Sequence, residues 1–214
     1  MPNKWQITAL LTIAFGAFFA ASLLGSPPST LYDLLRLTSA AITATTVALS
    51  AFHIGLWRWM PKVLAPRPDI NGTWRVIGSP WSKTGESIPA FEGFMFVKQH
   101  YFTMSMRLET SETSSELEAE QFTISKAGAY QLWAVYFCEP HASGSPDSIR
   151  PHYGAFTFKY QNVEGAAQLK GRYWIDGEVQ DRNGRKSTGG GLVLSDRKTK
   201  NYHDYENARR AYGG

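Results

Sequence analysis

Two long apolar stretches at the start of the chain constrain everything that follows them. Residues 5–24 and residues 37–57 contain no Asp, Glu, Lys or Arg, and each has the length of about 20 residues that a helix needs to cross a bilayer core. Only residues 25–36 separate the two stretches, so a chain that crosses with the first must return with the second. The sequence therefore predicts a two-helix transmembrane hairpin within residues 1–60.

The charges that flank the two spans predict the orientation of the hairpin. Lys4 precedes the first span, whereas Arg58 and Lys62 follow the second. The connection between the spans offers only Arg36, which is opposed by Asp33. Because positive residues favour the cytoplasmic side, both termini are expected in the cytoplasm. Three tryptophans lie where an interfacial aromatic belt is expected: Trp5, Trp57 and Trp59.

Polar residues recur along one side of the second span. Four small hydroxyl residues are followed by two aromatic residues, and the spacing between successive members alternates between four and three positions. The six residues are Ser39, Thr43, Thr46, Ser50, His53 and Trp57. The first span adds the small pair Gly16 and Ala20. Small and hydroxyl residues let helices pack closely in lipid. This seam either joins the two helices of one hairpin or joins hairpins of different copies. His53 either acts as a functional ionisable residue or reaches the headgroups.

A proline-containing linker, residues 61–69, separates the hairpin from a region of alternating apolar and polar residues over 70–197. Short strands with intervening turn residues predict an all-β domain. The expected strands are 70–77, 91–99, 101–110, 117–125, 129–139, 152–160, 167–175 and 191–195. Eight antiparallel strands form a barrel that side chains fill or that holds one small ligand. Gly72-Thr73-Trp74 resembles the Gly-x-Trp motif of lipocalin-like barrels, in which the tryptophan closes one end. Residues 198–214 form a polar tail.

Composition excludes several classes of protein. The chain from residue 62 onward carries 19 Lys/Arg and 17 Asp/Glu, which is not the concentrated basic surface of a nucleic-acid polymer binder. Cys138 is the only cysteine, so an intramolecular disulfide and Cys-x-x-Cys zinc sites are excluded. The Gly-x-Ser-x-Gly and His-Glu-x-x-His motifs are absent. We therefore expect a binding protein that has no cofactor and no metal site, and not an enzyme.

Aromatic and cationic residues of the strands are the candidate ligand-binding residues. Aromatic rings stack on nucleobases, and Lys or Arg pairs with phosphate. The residues expected to stack on bases are Trp133, Tyr136 and Tyr173. The residues expected to hold phosphate are Arg172, Lys98 and Arg107. The residues expected to make polar contacts to the ligand are Thr188 and His152.

The order of the elements, together with short motifs, resembles a known family. The residues that carry the resemblance are Asn71-Gly72-Thr73-Trp74, Val97-Lys98-Gln99, 111–118, 133–137, His152-Tyr153-Gly154, 169–174 and Thr188-Gly189-Gly190. With them the chain is similar to the two-transmembrane, β-strand-rich effectors of bacterial CBASS anti-phage systems. The resemblance implies a barrel that senses a cyclic dinucleotide made by the nucleotidyltransferase of a neighbouring gene. It also implies self-association through the membrane segments, disruption of the bacterial inner membrane and death of the infected cell.

Two other functions are compatible with the same strand pattern. One is a membrane-tethered, lipocalin-like carrier of an apolar ligand, and the other is a membrane-anchored module that binds a protein. A cleft with aromatic rings and at least two cations favours the nucleotide, whereas a wholly apolar cavity favours a lipid. A filled barrel with an exposed apolar patch favours a protein partner.

Overall fold

The computed structural model describes most of the chain as two compact units. The described residues are 16, 20, 30–61, 65, 67–82, 88–125, 128–141, 150–180, 186–199, 202 and 204–213, and for 178–180 and 186 the backbone alone. One unit comprises Met1–Pro66 together with His100–Phe102. The other comprises Arg67–Gln99 and Thr103–Gly214. The polar tail therefore belongs to the same unit as the strands.

The first unit is built on one long helix, α1, which spans Leu31–Ile54. Thr30 and Asp33 form a capping box at its start, in which each side chain accepts from the other residue's backbone N–H. These bonds satisfy amides that the first helical turn leaves without partners. They explain why the helix begins six residues before the apolar stretch. A 3-10 turn, Leu56–Trp59, follows Gly55.

In the described part of the chain, α1 is the one helix whose length and apolar composition suit a membrane crossing. The first predicted span lies outside the described residues except for Gly16 and Ala20, both of which are helical. The two-helix hairpin therefore stays a prediction. Of the tryptophans expected in an interfacial belt, Trp59 is exposed, but Trp57 is buried against Ala65 and Tyr101.

The second unit is a closed barrel of eight antiparallel strands, each paired with its neighbours in chain order. The strands are β1 (Gly72–Ser82), β2 (Phe91–Gln99), β3 (Met104–Thr110), β4 (Thr113–Ile124), β5 (Tyr130–Pro140), β6 (His152–Val163), β7 (Ala166–Gln180) and β8 (Lys186–Lys198). β1 closes the barrel by pairing with both β2 and β8. The expected eight-stranded antiparallel barrel is confirmed.

Several strands differ in length from their predicted bounds. β3 begins at Met104 rather than at residue 101, because His100–Phe102 belongs to the first unit. β4 begins at Thr113, four residues before the predicted strand, and runs through the Ser- and Glu-rich segment. Ladder hydrogen bonds form between backbones whatever the side chains are, so a polar outer face does not end a strand. β7 and β8 are longer for the same reason.

One end of the barrel is closed by the segment that enters it. Trp74 is fully buried, and its indole N–H donates to the carbonyl of Ile70 over 2.8 Å. The buried Gln99 side chain accepts from the Ile70 N–H at 2.8 Å and donates to the Pro68 carbonyl at 3.1 Å. The Arg197 guanidinium lies 5.8 Å from the centre of the Trp74 ring. Trp74 thus closes this end, as the Gly-x-Trp resemblance implies.

The polar tail forms a second helix, α2 (Tyr205–Ala211). Ala208 is fully buried against Phe94 and Phe96, which lie on the outer face of β2. The rings of Tyr205 and Tyr212 pack on Phe94 at centroid distances of 5.4 and 5.3 Å. The tail is therefore a packed part of the barrel unit.

Replacing Gln99 with leucine is expected to destabilise the barrel. The substitution leaves the Ile70 N–H and the Pro68 carbonyl buried without partners, which costs about 2 kcal/mol or more of the free energy of unfolding. Urea denaturation of the full-length protein in detergent, followed by tryptophan fluorescence, measures the loss. Lys98→Gln on the exposed neighbouring position serves as the control and should change stability by less than about 0.5 kcal/mol. Equal stability of both variants would contradict the role assigned to Gln99.

Candidate ligand cavity in the barrel

The end of the barrel opposite Trp74 contains a cavity of about 590 Å³. This volume is within the range of pockets that hold small-molecule ligands. Side chains from all eight strands line it. Its aromatic lining residues are Phe91, Tyr136, Phe156, Tyr173 and Tyr205. Its aliphatic and sulfur-containing lining includes Met95, Met106, Leu108, Leu117, Cys138, Ile175 and Leu192.

Three cavity rings lie across glycines of the neighbouring strands. Tyr136 is directly opposite Gly154, and Tyr173 is directly opposite Gly190. A Cβ atom at Gly154 would lie 2.3 Å from the Tyr136 ring, and one at Gly190 would lie 2.6 Å from the Tyr173 ring. Phe91 and Gly78 form a third such pair, in which the distance is 2.1 Å. The glycines therefore provide the space that these rings occupy.

The rings contact one another around the cavity. Phe91 and Tyr173 meet edge to face at a centroid distance of 6.2 Å. Tyr136 and Phe156 lie nearly parallel at 6.1 Å. Such pairs contribute packing energy and hold ring orientations. The cavity consequently has aromatic surfaces in defined positions, which suits a flat aromatic ligand group.

The two cavity tyrosines keep their protons at physiological pH. Burial raises the pKa of Tyr173 to about 12, although a hydrogen bond with the Ser187 side chain opposes the rise. Burial also raises the pKa of Tyr136 above its usual value, and its hydroxyl donates to the Trp174 carbonyl over 3.4 Å. Both phenols are therefore neutral hydrogen-bond donors.

Polar groups line the part of the cavity formed by the turn between β3 and β4. The lining hydroxyls there are those of Thr110, Ser111, Thr113 and Ser115. Two carboxylates, Glu92 and Glu112, also reach the lining, and Glu92 pairs with Arg75 over 2.6 Å. His152 lines the cavity while its Nδ1 lies 2.8 Å from the Arg150 carbonyl oxygen. The cavity is therefore apolar at its floor and polar at this side.

The cavity brings together three of the eight residues expected to bind ligand: Tyr136, Tyr173 and His152. Trp133, Lys98 and Arg172 are exposed on the outer face of their strands. Arg107 also lies on the outer face, where its guanidinium is 3.2 Å from Glu109 and 5.5 Å from the centre of the Phe96 ring. Thr188 is half-buried and does not line the cavity. Among the described lining residues there is no Lys or Arg.

Sequence reasoning missed Phe91, Phe156 and Ser187. Phe91 and Phe156 lie on the inward face of their strands, as do Tyr136 and Tyr173. For Phe91 the available signal was Gly78 in the neighbouring strand, but the strand register is needed to pair that glycine with the ring. No group of three or more His, Cys, Asp or Glu within the described residues is arranged to hold a metal ion.

The seam of the second span is exposed along α1. Ser39, Thr43, Thr46 and Ser50 are all exposed, whereas Ala41 on another side of the helix is fully buried. The Thr43 hydroxyl donates to the Ser39 carbonyl at 2.9 Å, and Thr46 donates to the Ile42 carbonyl at 2.8 Å. Their hydrogen bonds are thus satisfied within the helix, and their small side chains leave its surface open to a close neighbour.

The end of α1 contacts the segment His100–Phe102 of its own unit. The Tyr101 N–H donates to the His53 carbonyl at 2.9 Å, and the Phe102 N–H donates to His53 Nδ1 at 3.3 Å. The His53 ring also stacks on Phe102 at a centroid distance of 5.2 Å. His53 therefore binds a protein segment, a role that the sequence did not indicate.

Cys138 gives an independent probe of the cavity. Burial raises the pKa of its thiol above the usual value, so a smaller fraction is thiolate at pH 8 and iodoacetamide should react more slowly than with free cysteine. Mass spectrometry of the full-length protein measures the rate. An exposed cysteine at Ser105→Cys, in a Cys138→Ser chain, should react at the free rate. Equal rates at the two positions would contradict the buried location of Cys138.

Comparison with known proteins identifies the barrel. No curated protein matches the chain in a sequence search. A family model described as Cap15, cyclic dinucleotide receptor domain, matches residues 65–189. The match covers more than half of the 214 residues and runs from the closed end of the barrel through β7 into β8. The resemblance to CBASS β-barrel effectors is thereby confirmed, and the chain belongs to the Cap15 cyclic dinucleotide receptor family.

Proposed function

We propose that this protein is a membrane-tethered CBASS effector whose barrel binds a cyclic dinucleotide in the cavity. The observation that carries the proposal is an open, aromatic-lined cavity whose lining residues, apart from Leu192 and Tyr205, lie within the residues that the receptor-domain family matches. Occupancy of the cavity then drives self-association through the membrane segments and disruption of the membrane. The protein acts by binding and carries out no reaction on its ligand.

The cavity supplies the contacts that nucleobases need. Tyr136 and Tyr173 present ring surfaces for stacking, which contributes about 1–3 kcal/mol for each base. The Tyr136 and Ser187 hydroxyls already donate to the carbonyls of Trp174 and Gly189, so their oxygens are left to accept hydrogen bonds from N–H or O–H groups of a base or sugar. Tyr136 and Tyr173 lie on different strands, β5 and β7, so a ligand with two bases suits them.

The phosphates require a different explanation from the one expected. Because Lys98, Arg107 and Arg172 lie on the outer face, the phosphates of a ligand in the cavity meet hydroxyl groups instead. Thr110, Ser111, Thr113 and Ser115 form such a group at the β3–β4 turn. Hydroxyls hydrogen-bond phosphate oxygens without neutralising them. We therefore expect affinity to depend on stacking more than on charge, and to fall only weakly with salt.

An apolar ligand is the second candidate, and the floor of the cavity favours it. Met95, Met106, Leu108, Leu117 and Leu192 form a continuous apolar surface there. Against this reading, hydroxyls, two carboxylates and a histidine line the same cavity. A fatty acyl chain offers those polar groups no hydrogen bonds and would exclude the water around them, which costs free energy.

The proposed membrane output uses the seam of α1. The exposed Ser39, Thr43, Thr46 and Ser50 allow close approach of a helix from another copy. Gly16 and Ala20 of the first predicted span offer a second small surface for the same purpose. The seam is exposed along α1, which leaves it open to a helix from another copy.

The proposed location follows from the ligand and the flanking charges. A cyclic dinucleotide made by a neighbouring-gene nucleotidyltransferase is a cytoplasmic molecule. The barrel must then lie on the cytoplasmic side of the bacterial inner membrane, which agrees with the orientation predicted from Lys4, Arg58 and Lys62.

Replacing Tyr136 or Tyr173 with leucine tests the cavity as the binding site. Each substitution should weaken binding of a cyclic dinucleotide by about tenfold or more, because it removes one stacking surface. Isothermal titration calorimetry on the full-length protein in detergent, against a panel of cyclic dinucleotides, measures the change.

Trp133→Leu is the matched control, because Trp133 is aromatic but exposed on the outer face of the same strand as Tyr136. Its affinity should equal that of the original protein. If Trp133→Leu loses binding and Tyr136→Leu does not, the site is on the outer face. If no member of the panel binds, and bound lipid is extracted from the purified protein, the apolar-ligand reading replaces this one.

Replacing Thr43 and Thr46 together with leucine tests the membrane output. Bulky side chains prevent close helix approach, so ligand binding should persist while ligand-dependent killing of cells is lost. Ala40→Leu with Ala44→Leu places the same two leucine side chains at exposed positions off the seam and should leave killing intact. Killing that survives both pairs of substitutions would make α1 an anchor only.

A further inference from the structure

The outer wall of the barrel carries an exposed apolar patch that the cavity does not explain. Ala119, Val135, Ala155 and Trp174 are successive partners across β4, β5, β6 and β7 and form one continuous row. Trp133, Phe137 and Tyr153 flank this row, and the exposed fractions of Trp133, Val135, Tyr153 and Trp174 are 47%, 42%, 54% and 40%. We call these seven residues the outer patch. Contiguous exposed apolar residues of this kind mark interaction surfaces.

Opposite charges flank the outer patch at diagonally opposite corners. At the corner near the cavity end of β4 and β5 lie the exposed carboxylates Glu116, Glu118 and Glu139. At the corner near the closed end of β6 and β7 lie the exposed cations Lys159, Lys170 and Arg172. An apolar centre between an acidic corner and a basic corner is a surface that complements a copy of itself.

Most charges at the two corners form no ion pair with other described residues, and the Arg172 guanidinium lies 5.7 Å from the centre of the Trp81 ring. Within the described residues, none of Glu116, Glu118, Lys159 and Lys170 forms an ion pair. Lys159 and Lys170 are moreover direct cross-strand partners. Like charges placed opposite each other in a sheet are destabilising, and carboxylates from another molecule would relieve that repulsion.

We propose that the outer patch is a two-fold contact between the barrels of two copies of this chain. In a two-fold interface the same surface is used by both copies, so the acidic corner of each meets the basic corner of the other. The apolar row packs on itself at the centre. The charges at the corners restrict the partner and the register. The inference goes beyond the proposed function because it concerns the outer wall and does not depend on what the cavity binds.

Cross-linking in the full-length protein tests the two-fold arrangement. A two-fold contact brings residues near its axis close to the same residues of the partner. Val135→Cys in a Cys138→Ser chain should therefore form a covalent dimer with a short bis-maleimide in native membranes. Ser105→Cys, exposed on β3 outside the outer patch, should form none. Equal yields at the two positions would overturn the proposal.

Charge reversal tests the pairing of the corners. In the Val135→Cys, Cys138→Ser chain, Glu116→Lys with Glu118→Lys should lower the dimer yield by about tenfold, and Lys159→Glu with Lys170→Glu should do the same. Combining all four reversals in one chain restores complementarity, so the yield should recover. Co-expression of the two reversed chains should also restore dimers, now made of one chain of each kind. Failure of both rescues would overturn the proposal and would leave another protein or a lipid surface as the occupant of the outer patch.

Discussion

Closure of the eight-stranded sheet is the constraint on which the rest of the structure depends. Once β1 pairs with β8, every strand has one face inside the barrel and one face outside. The volume inside is filled at one end by Trp74 together with Ile70 and Gln99. At the other end the inward residues leave about 590 Å³ unfilled. A packed end and an open end thus arise from one sheet, and the open end is where a ligand has room.

Glycine and aromatic residues together define the shape of the open end. Gly78, Gly154 and Gly190 have no side chain, and the rings of Phe91, Tyr136 and Tyr173 occupy the space that a side chain would need. The rings then lie along the wall instead of filling the lumen. The same interior that forms the core near Trp74 therefore leaves a cavity at the other end, because a large ring on one strand lies opposite a glycine on the next. The barrel fold thus places flat ring surfaces on the wall of the cavity.

Particular residues show where sequence reasoning succeeded and where it did not. The alternation of Phe102, Met104, Met106 and Leu108 located β3 within a few residues, and Gly72-Thr73-Trp74 located the closed end. Tyr136, Tyr173 and His152 were chosen by residue type and line the cavity, but the same reasoning also chose Trp133, which is exposed on the outer face. Arg172 and Lys98 were expected beside the ligand, but they alternate with inward residues and therefore point outward. The residue type of Arg172 and Lys98 indicated that they could bind phosphate, whereas only the strand register shows that they lie on the outer face of the barrel.

The sequence by itself determined the local features: a stretch long and apolar enough for a membrane helix, strands with period two, and a small-residue seam along α1. These depend on neighbouring residues, whose spacing is visible in one dimension. Only the tertiary structure decided that the seam is exposed, that Tyr136 and Tyr173 share a cavity without Lys or Arg among its described lining residues, and that charges flank an apolar wall across β4–β7. Those features depend on strand pairing, which brings residues together that are distant in the chain. The physical reason is that closing the barrel sets the register of every strand at once, and no single segment contains that information.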